Sequence, residues 1–515
     1  MLETGYKLLK KEDISCFFVS LPSYLNQLFL QMKFLNYFKA AALMTAVTLS
    51  LTACGGDEDE LDGPDGGEDV VTQTPDPDDD PTLNDLPAMS ASEAKNYIEG
   101  VATEMLNLIN PADQETLLRL IDSWSEKYDD YEAPANWNLD NFDESDKAPR
   151  CNPIKGFMKA LRKAAGGDAA ALSRATSELL DMARFSGVYE PGSGVDKYGD
   201  RVGMWVKKED SKDIIFRFPY NGETVEVKGV GEGSTWSHTG YGATVVIPRI
   251  FTVTMKKGNG VLVNAKLDSN VDFSAHTINA VVEGSVANLN VKATVTGNNT
   301  VINADTYTWL GGTQISHTTA VVNGANMVDA NTINTLFRQE SDTYSDGYNE
   351  YVDTWYEFDK NVAGRMFRTG TLESVILGKV RIGCNVSSIG SIINESGKCF
   401  EQYPYGSQEE AKKACQEQCD IFNQVMPAEI YLQGSKNASG SVRYQPYLDV
   451  EYYGDGYSYW EWYSEPVLMF DDNAPVSFSE YFGRVSMPSV YNAAKSLIQI
   501  YRGYFPYLCD DDDDY

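Results

Sequence analysis

Between residues 88 and 187 the apolar positions recur at helical spacing. Ser90-Ala91-Ser92-Glu93 has the form of a capping box, in which Ser and the Glu three residues later each satisfy the other's free backbone N–H. Ile98, Val101, Met105, Leu108 and Ile109 come next, with three- and four-residue gaps. Asn110-Pro111 stops this helix and starts another, because Asn caps and Pro suits a first helical position. Leu117, Leu118, Leu120, Ile121 and Trp124 form the buried face of that second helix. Asn152-Pro153 repeats the start signal before Ile154, Phe157, Met158 and Leu161, and Gly166-Gly167 ends it. A fourth helix is predicted from Ala169 to Phe185, closing at Gly187. Four such helices form a small bundle or a helical cap on the next domain.

From Tyr198 the period changes to two. In Val261 to Phe273, the set Val261, Val263, Ala265, Leu267, Val271 and Phe273 alternates with Leu262, Asn264, Lys266, Asp268, Asn270 and Asp272. One face is apolar and the other almost wholly polar, the pattern of an antiparallel sheet with one solvated side. Ile278, Ala280 and Val282 continue it on even positions, while Leu289, Val291, Ala293 and Val295 resume on odd ones. A phase slip is therefore predicted near Gly284, as a bulge or turn. Asn-Gly, Gly-Asn and Asn-Asn pairs supply turns at hairpin spacing.

Beyond residue 330 the pattern is mixed. Strands are predicted at Val375 to Ile382, Glu429 to Leu432, Val442 to Tyr452 and Tyr457 to Phe470. Helices are predicted from Ser407 to Met426, with Ser407 and Glu410 as a second capping box, and from Tyr491 to Tyr501. The fold class is α+β: a helical region (88–197), a long-stranded antiparallel β domain (198–330) and a mixed, disulfide-braced region (331–509), then an acidic tail (510–515).

The beginning of the chain reads as an address. Lys33 and Lys39 precede the apolar run Ala40 to Leu51, which ends in Leu51-Thr52-Ala53-Cys54. These are the parts of a secretory signal, and the run is too short to span a bilayer. The leader is predicted over 32–53, with Met32 as the start and 1–31 as upstream sequence. Gly55 to Leu86 carries thirteen acidic residues and no Lys or Arg among Gly, Pro and Thr. Such a stretch buries too little apolar surface to offset chain entropy, so 54–87 is read as an extended tether.

Cys54 directly after Leu-Thr-Ala resembles the lipobox of bacterial lipoproteins, and the acids behind it resemble the export signal of Bacteroidetes surface lipoproteins. The run Pro466 to Asp472, with Ser479-Glu480-Tyr481-Phe482, also resembles uncharacterised lipoproteins of that group. The resemblance implies acylation at Cys54 and an outer-membrane, lipid-anchored body facing outward. It brings no activity with it.

Net charge is −33, which argues against nucleic acid or an acidic membrane surface as partner; the membrane is met only through the lipid. The three histidines, His238, His276 and His317, each fall in or beside a predicted strand, where bonding to a neighbour accounts for them. No phosphate loop and no nucleophile elbow occurs. No catalytic residue, cofactor or metal is assigned, and a glycoside hydrolase with two facing carboxylates ranks below a non-catalytic role.

Three constellations remain. Setting aside Cys16 and Cys54, the body holds Cys151, Cys384, Cys399, Cys415, Cys419 and Cys509, an even number in an exported chain, so disulfides are expected. Cys415 and Cys419 lie on one helix face near the limit for a mutual bridge, which directs them to Cys384 and Cys399 and leaves Cys151 with Cys509. A four-cysteine zinc site lacks paired short knuckles. Tyr344-Ser345-Asp346-Gly347-Tyr348, with Trp355 beyond it, is echoed by Tyr453-Gly454-Asp455-Gly456-Tyr457, with Trp460 and Trp462 beyond. Asp-Gly between alternating aromatics marks hairpins. Tyr348, Trp355, Tyr457, Trp460 and Trp462 are the ligand-binding candidates, since exposed rings beside acids suit sugars; the alternative is cross-strand packing. Asp342-x-Tyr344-x-Asp346-Gly347 lacks the middle oxygen ligand of a calcium loop.

The residues support two functions. The first is a surface lipoprotein with a binding or structural role, capturing glycans through exposed Trp460 and Trp462. The second is carriage of a hydrophobic ligand, with a large apolar cavity lined by Val261, Val263, Leu267, Val271 and Phe273.

Overall fold

A computed structural model describes residues 84–132, 153–177, 179–180, 182–195, 199–240, 243–345, 350–395, 407–452, 458–470 and 474–505. The leader, Cys54, nearly all of the tether and the acidic tail lie outside them, as do Cys151, Cys399, Cys509, Tyr348 and Tyr457.

The helices come first, as the periodicity requires. They are α1 (Ala91–Leu108), α2 (Glu115–Tyr128), α3 (Pro153–Ala165), α4 (Ala169–Ser177) and α5 (Met182–Phe185). The Ser90–Glu93 box is formed in both directions at α1. Pro111–Asp113 makes a 3₁₀ turn before α2. The predicted fourth helix is two pieces, α4 and α5.

The strands begin with β1 (Gly187–Val195), β2 (Arg201–Glu209), β3 (Ile214–Tyr220), β4 (Glu223–Gly240), β5 (Ala243–Lys257), β6 (Gly260–Asp272), β7 (Thr277–Val286) and β8 (Leu289–Asn298). β9 (Val301–Leu310) and β10 (Thr313–Gly324) come next, and a hairpin of β11 (Phe337–Ser345) and β12 (Glu350–Phe358) after them. The last strands are β13 (Phe367–Ile376), β14 (Val380–Val386), β15 (Ala428–Leu432), β16 (Ala438–Tyr452), β17 (Ser458–Met469) and β18 (Val476–Ser477). All but the hairpin join one 16-stranded sheet, in the order β18-β17-β16-β15-β14-β13-β10-β9-β8-β7-β6-β5-β4-β3-β1-β2. Its neighbours are antiparallel except β1 and β3. The β11–β12 hairpin stands apart as a two-stranded sheet. The later helices are α6 (Ala330–Asn334), α7 (Lys360–Met366), α8 (Ile389–Glu395), α9 (Gln408–Val425), α10 (Phe478–Tyr481) and α11 (Pro488–Arg502).

The sheet begins at Gly187, eleven residues before the period of two becomes visible, because β1 is rich in Gly and Pro (Gly187-Val188-Tyr189-Glu190-Pro191-Gly192). The phase slip sits at Ala287 (φ +52°), in the turn joining β7 to β8; Gly284 lies inside β7 in unbroken register. Val375 to Ile382 is a hairpin rather than one strand, turned by Leu377 (φ +49°) and Gly378 (φ +66°).

The register assigns the faces. Val263, Ala265 and Leu267 of β6 share a face with Val282 and Val286 of β7 and with Leu289 and Val291 of β8. Carried strand to strand, that face includes Ile376, Ile382, Ile430, Val442 and Leu468. Three large buried clusters lie on it, and a fourth, smaller one forms where α9 meets β16 and β17. The first packs α2, α3 and α4 on β1 to β8, around an aromatic nucleus of Tyr128, Trp205, Phe216 and Phe218. The second packs α1, α9 and α11 on β13 to β17, and the third packs α6 and α7 on β7 to β9. One face of the sheet is thus covered; among the described residues the other is open from β5 to β15, while Val188, Ile215 and Val467 near the sheet's two ends are buried on it. In β6 the alternation is sharp: Val263 is fully buried, while Asn264 beside it is exposed.

Candidate functional site

The aromatic hairpin β16–β17 forms as predicted, with Tyr452 paired to Ser458 across its described ends. Trp462 does not serve as an exposed platform, and the side chain of Trp460 lies outside the described residues. Trp462 is 9% exposed and clusters with Ala411, Cys415 and Cys419 of α9, with the Lys412 ammonium 5.5 Å from its ring centre. The cause is α9 itself, an amphipathic helix laid over the strand pair. Asn423 of α9 receives the Tyr444 N–H (2.7 Å) and donates to the Tyr444 carbonyl (2.9 Å), which fastens helix to strand. Trp460 lies at the β17 position paired with Val450, and Trp355 in β12 opposite Glu340.

No disulfide joins Cys384, Cys415 and Cys419, all buried. The Cys384 thiol is pushed up to about 12 by burial. Burial first, then the nearby Cys384 and Cys419, holds the Tyr444 phenol far above its ordinary value. Among the described residues no group of three His, Cys, Asp or Glu side chains is placed to hold a metal ion, and no helix is long and apolar enough to cross a membrane.

The residues named for a lipid cavity are taken up by packing. Val263 and Leu267 belong to the first cluster, and Val271 and Phe273 pack against the third. Val261 is 56% exposed. A cavity of about 30 Å³ lies elsewhere, between Ile98, Val101 and Met105 of α1 and Ile382, Ile430 and Phe482. It is lined only by apolar side chains and admits a water-sized guest, not an acyl chain.

The open face carries a different constellation, at β9 to β15. In β9 the order Asp305-Thr306-Tyr307-Thr308-Trp309 sends the threonines to the covered face and the acid and both rings to the open one. The Tyr307 and Trp309 rings stack at 5.7 Å and 14°. His317 of β10, paired with Tyr307, lies parallel to its ring at 4.2 Å and 6°. The His317 Nε2–H donates to Asp305 Oδ1 (2.7 Å), and the Tyr307 hydroxyl donates to the other carboxylate oxygen (3.4 Å). Burial and the Asp305 charge raise the Tyr307 phenol above its ordinary value, so its proton stays available for donation.

Two strands along, Arg381 of β14 donates to Glu373 of β13 (3.1 Å) and lies 3.8 Å from the centre of the Tyr431 ring. Tyr431 in turn donates to Glu429 (2.5 Å), and burial with that bond raises its phenol to about 12. Nε and Nη2 of Arg381 are buried without an acceptor in the chain. The arrangement offers rings, fixed acids and donors on a half-exposed surface, which suits recognition.

Sequence reasoning correctly placed His317 in a strand, bonded to a neighbour, but it passed over Tyr307 and Trp309. Their alternation with threonine was the available signal. Comparison with family models, with curated proteins and with solved structures finds no match to this chain.

Proposed function

We propose that the chain is a lipid-anchored lipoprotein of the outer-membrane surface with a non-catalytic role in glycan capture, and that the ligand lies on the open sheet face at Tyr307, Trp309 and His317. The observation that supports this is an inversion of the usual placement. At β9 the large rings stand on the uncovered face while Thr306 and Thr308 take the covered one. Stability alone favours the reverse, since burying an aromatic ring contributes far more than burying a threonine. Aromatic faces attract the weakly positive C–H groups of a pyranose, while Asp305 accepts from its hydroxyls. This is the first functional reading from the sequence, moved from the hairpins to the sheet. The lipid anchor at Cys54 and the outward address rest on the sequence.

The test is a glycan-array screen of the whole chain purified in detergent, repeated with Tyr307→Ala and Trp309→Ala combined. Saturable binding that disappears in the double variant, with an unchanged thermal melt, is expected. Binding that persists in the variant places the site elsewhere, and a wild-type chain that takes no glycan ends the reading.

A further inference from the structure

The cross-strand register shows how far the open-face surface extends. Lys292 of β8 pairs with Tyr307, Tyr307 with His317, His317 with Val375, Val375 with Arg381, and Arg381 with Tyr431. These six residues form one straight row perpendicular to the strands. Five strand spacings of about 4.8 Å make it about 24 Å long. A second row runs beside it: Asp305 pairs with Thr319, Thr319 with Glu373, Glu373 with Gly383, and Gly383 with Glu429. Each acid of the second row bonds a ring or cation of the first: Asp305 holds His317, Glu373 holds Arg381, and Glu429 holds Tyr431. The surface is therefore a row of three rings and one guanidinium, interrupted by Val375, with an acid fixing His317, Arg381 and Tyr431 in orientation.

Resting on the glycan reading above, we infer that this double row takes an extended, uncharged polysaccharide strand laid across the β-strands from Lys292 to Tyr431, and that it discriminates against uronic-acid polymers. Length comes from the geometry: a single sugar covers the Tyr307–Trp309 stack, and only a longer chain also reaches Tyr431. Charge selectivity comes from the flanking row. Lys292 faces Glu283 at 3.8 Å and Arg381 is engaged by Glu373, so both fixed cations are already met by acids. Glu429 adds a further carboxylate, and the chain as a whole is strongly acidic. A polymer bearing carboxylates meets this surface against its field.

Calorimetric titration of the whole chain with di-, tetra- and hexasaccharides of the cello, malto, xylo and manno series, and with hexagalacturonate, tests both properties. In one neutral series the hexasaccharide is expected to bind about tenfold or more tighter than the disaccharide. Tyr431→Ala is expected to erase that gain while leaving disaccharide binding unchanged, and hexagalacturonate is expected to bind at least about tenfold more weakly than the tightest-binding neutral hexasaccharide. A hexasaccharide no tighter than its disaccharide, or one indifferent to Tyr431→Ala, overturns the extended row. Glycan capture then still stands if the disaccharide is lost with Tyr307→Ala and Trp309→Ala. Equal binding of hexagalacturonate overturns the selectivity, and binding by none of these probes overturns both readings.

Discussion

The two faces of the sheet solve different problems with the same strands. On the covered face at β5, Phe251, Val253 and Met255 are fully buried beneath helices, and Thr252 and Thr254 alternate with them on the other side. At β9 and β10 the assignment changes. The covered face holds Thr306, Thr308, Ser316 and Thr318, with Thr318 bonded to Ser374 (3.0 Å), while the open face holds the rings. Where the covered face is apolar, it holds the protein together. Where the rings cross to the open face, they contribute little to the core. A departure from the packing rule is where a binding surface is expected.

The sharpest way to break the comparison is to truncate neighbours on one strand. Phe251→Ala is expected to cost about 3–5 kcal/mol through the lost ring and the cavity left behind. Thr252→Ala, one residue on and facing outward, should stay within about 0.5 kcal/mol. Urea unfolding monitored by circular dichroism checks both, and similar values would mean that the open face is covered.

A second contrast uses pH. Cys384 lies on the covered face and Tyr431 on the open one, and both groups are raised to about 12 in the folded chain. A raised folded value keeps the proton on, so the stabilisation is complete below the unfolded value and is lost as pH rises through the folded one. Stability should therefore hold to about pH 9 and fall between about pH 9 and 12. Cys384→Ala is expected to remove the early part of that fall, and Tyr431→Phe a share of the later part, which the buried Tyr444 phenol also carries. Melting temperatures measured across this range decide it, and a slope unchanged in both variants refutes the assignment.

The smallest effect concerns the cover itself. Ser407 caps α9 by accepting the Glu410 N–H, and the Glu410 carboxylate returns the bond to the Ser407 N–H. Ser407→Ala should cost about 1 kcal/mol. Local hydrogen exchange in α9 should rise with it, while the first cluster stays unchanged.

Much of the architecture was legible because it is written in local rules. Both capping boxes, the Pro-initiated helices and the β6 alternation depend on neighbours a few residues apart. The features that escaped depend on partners far away. The Tyr-rich hairpins carry nearly the same signature, yet β16–β17 joins the main sheet under α9 while β11–β12 stands alone; no local pattern tells which will be covered. The burial of Trp462 is decided by where α9 lands, and the exposure of Trp309 by a face assignment that only the register across neighbouring strands fixes. Val375 to Ile382 read as one strand because Leu377 is apolar; its positive φ was invisible.

The order of assembly is constrained by α1. Most strands pair with one just made, so the sheet can extend as the chain emerges, each strand adding to an edge already present. Helix α1 has no such neighbour. Its apolar face meets Ile376, Val380 and Ile430, and Met89 just before it bonds to Ser439, 350 residues later. A chain made from its N-terminus must therefore hold its first helix unsatisfied until nearly its last strands arrive. A product cut short after β10 would keep the first cluster and present the apolar face of α1 bare, a state that chaperones and proteases recognise.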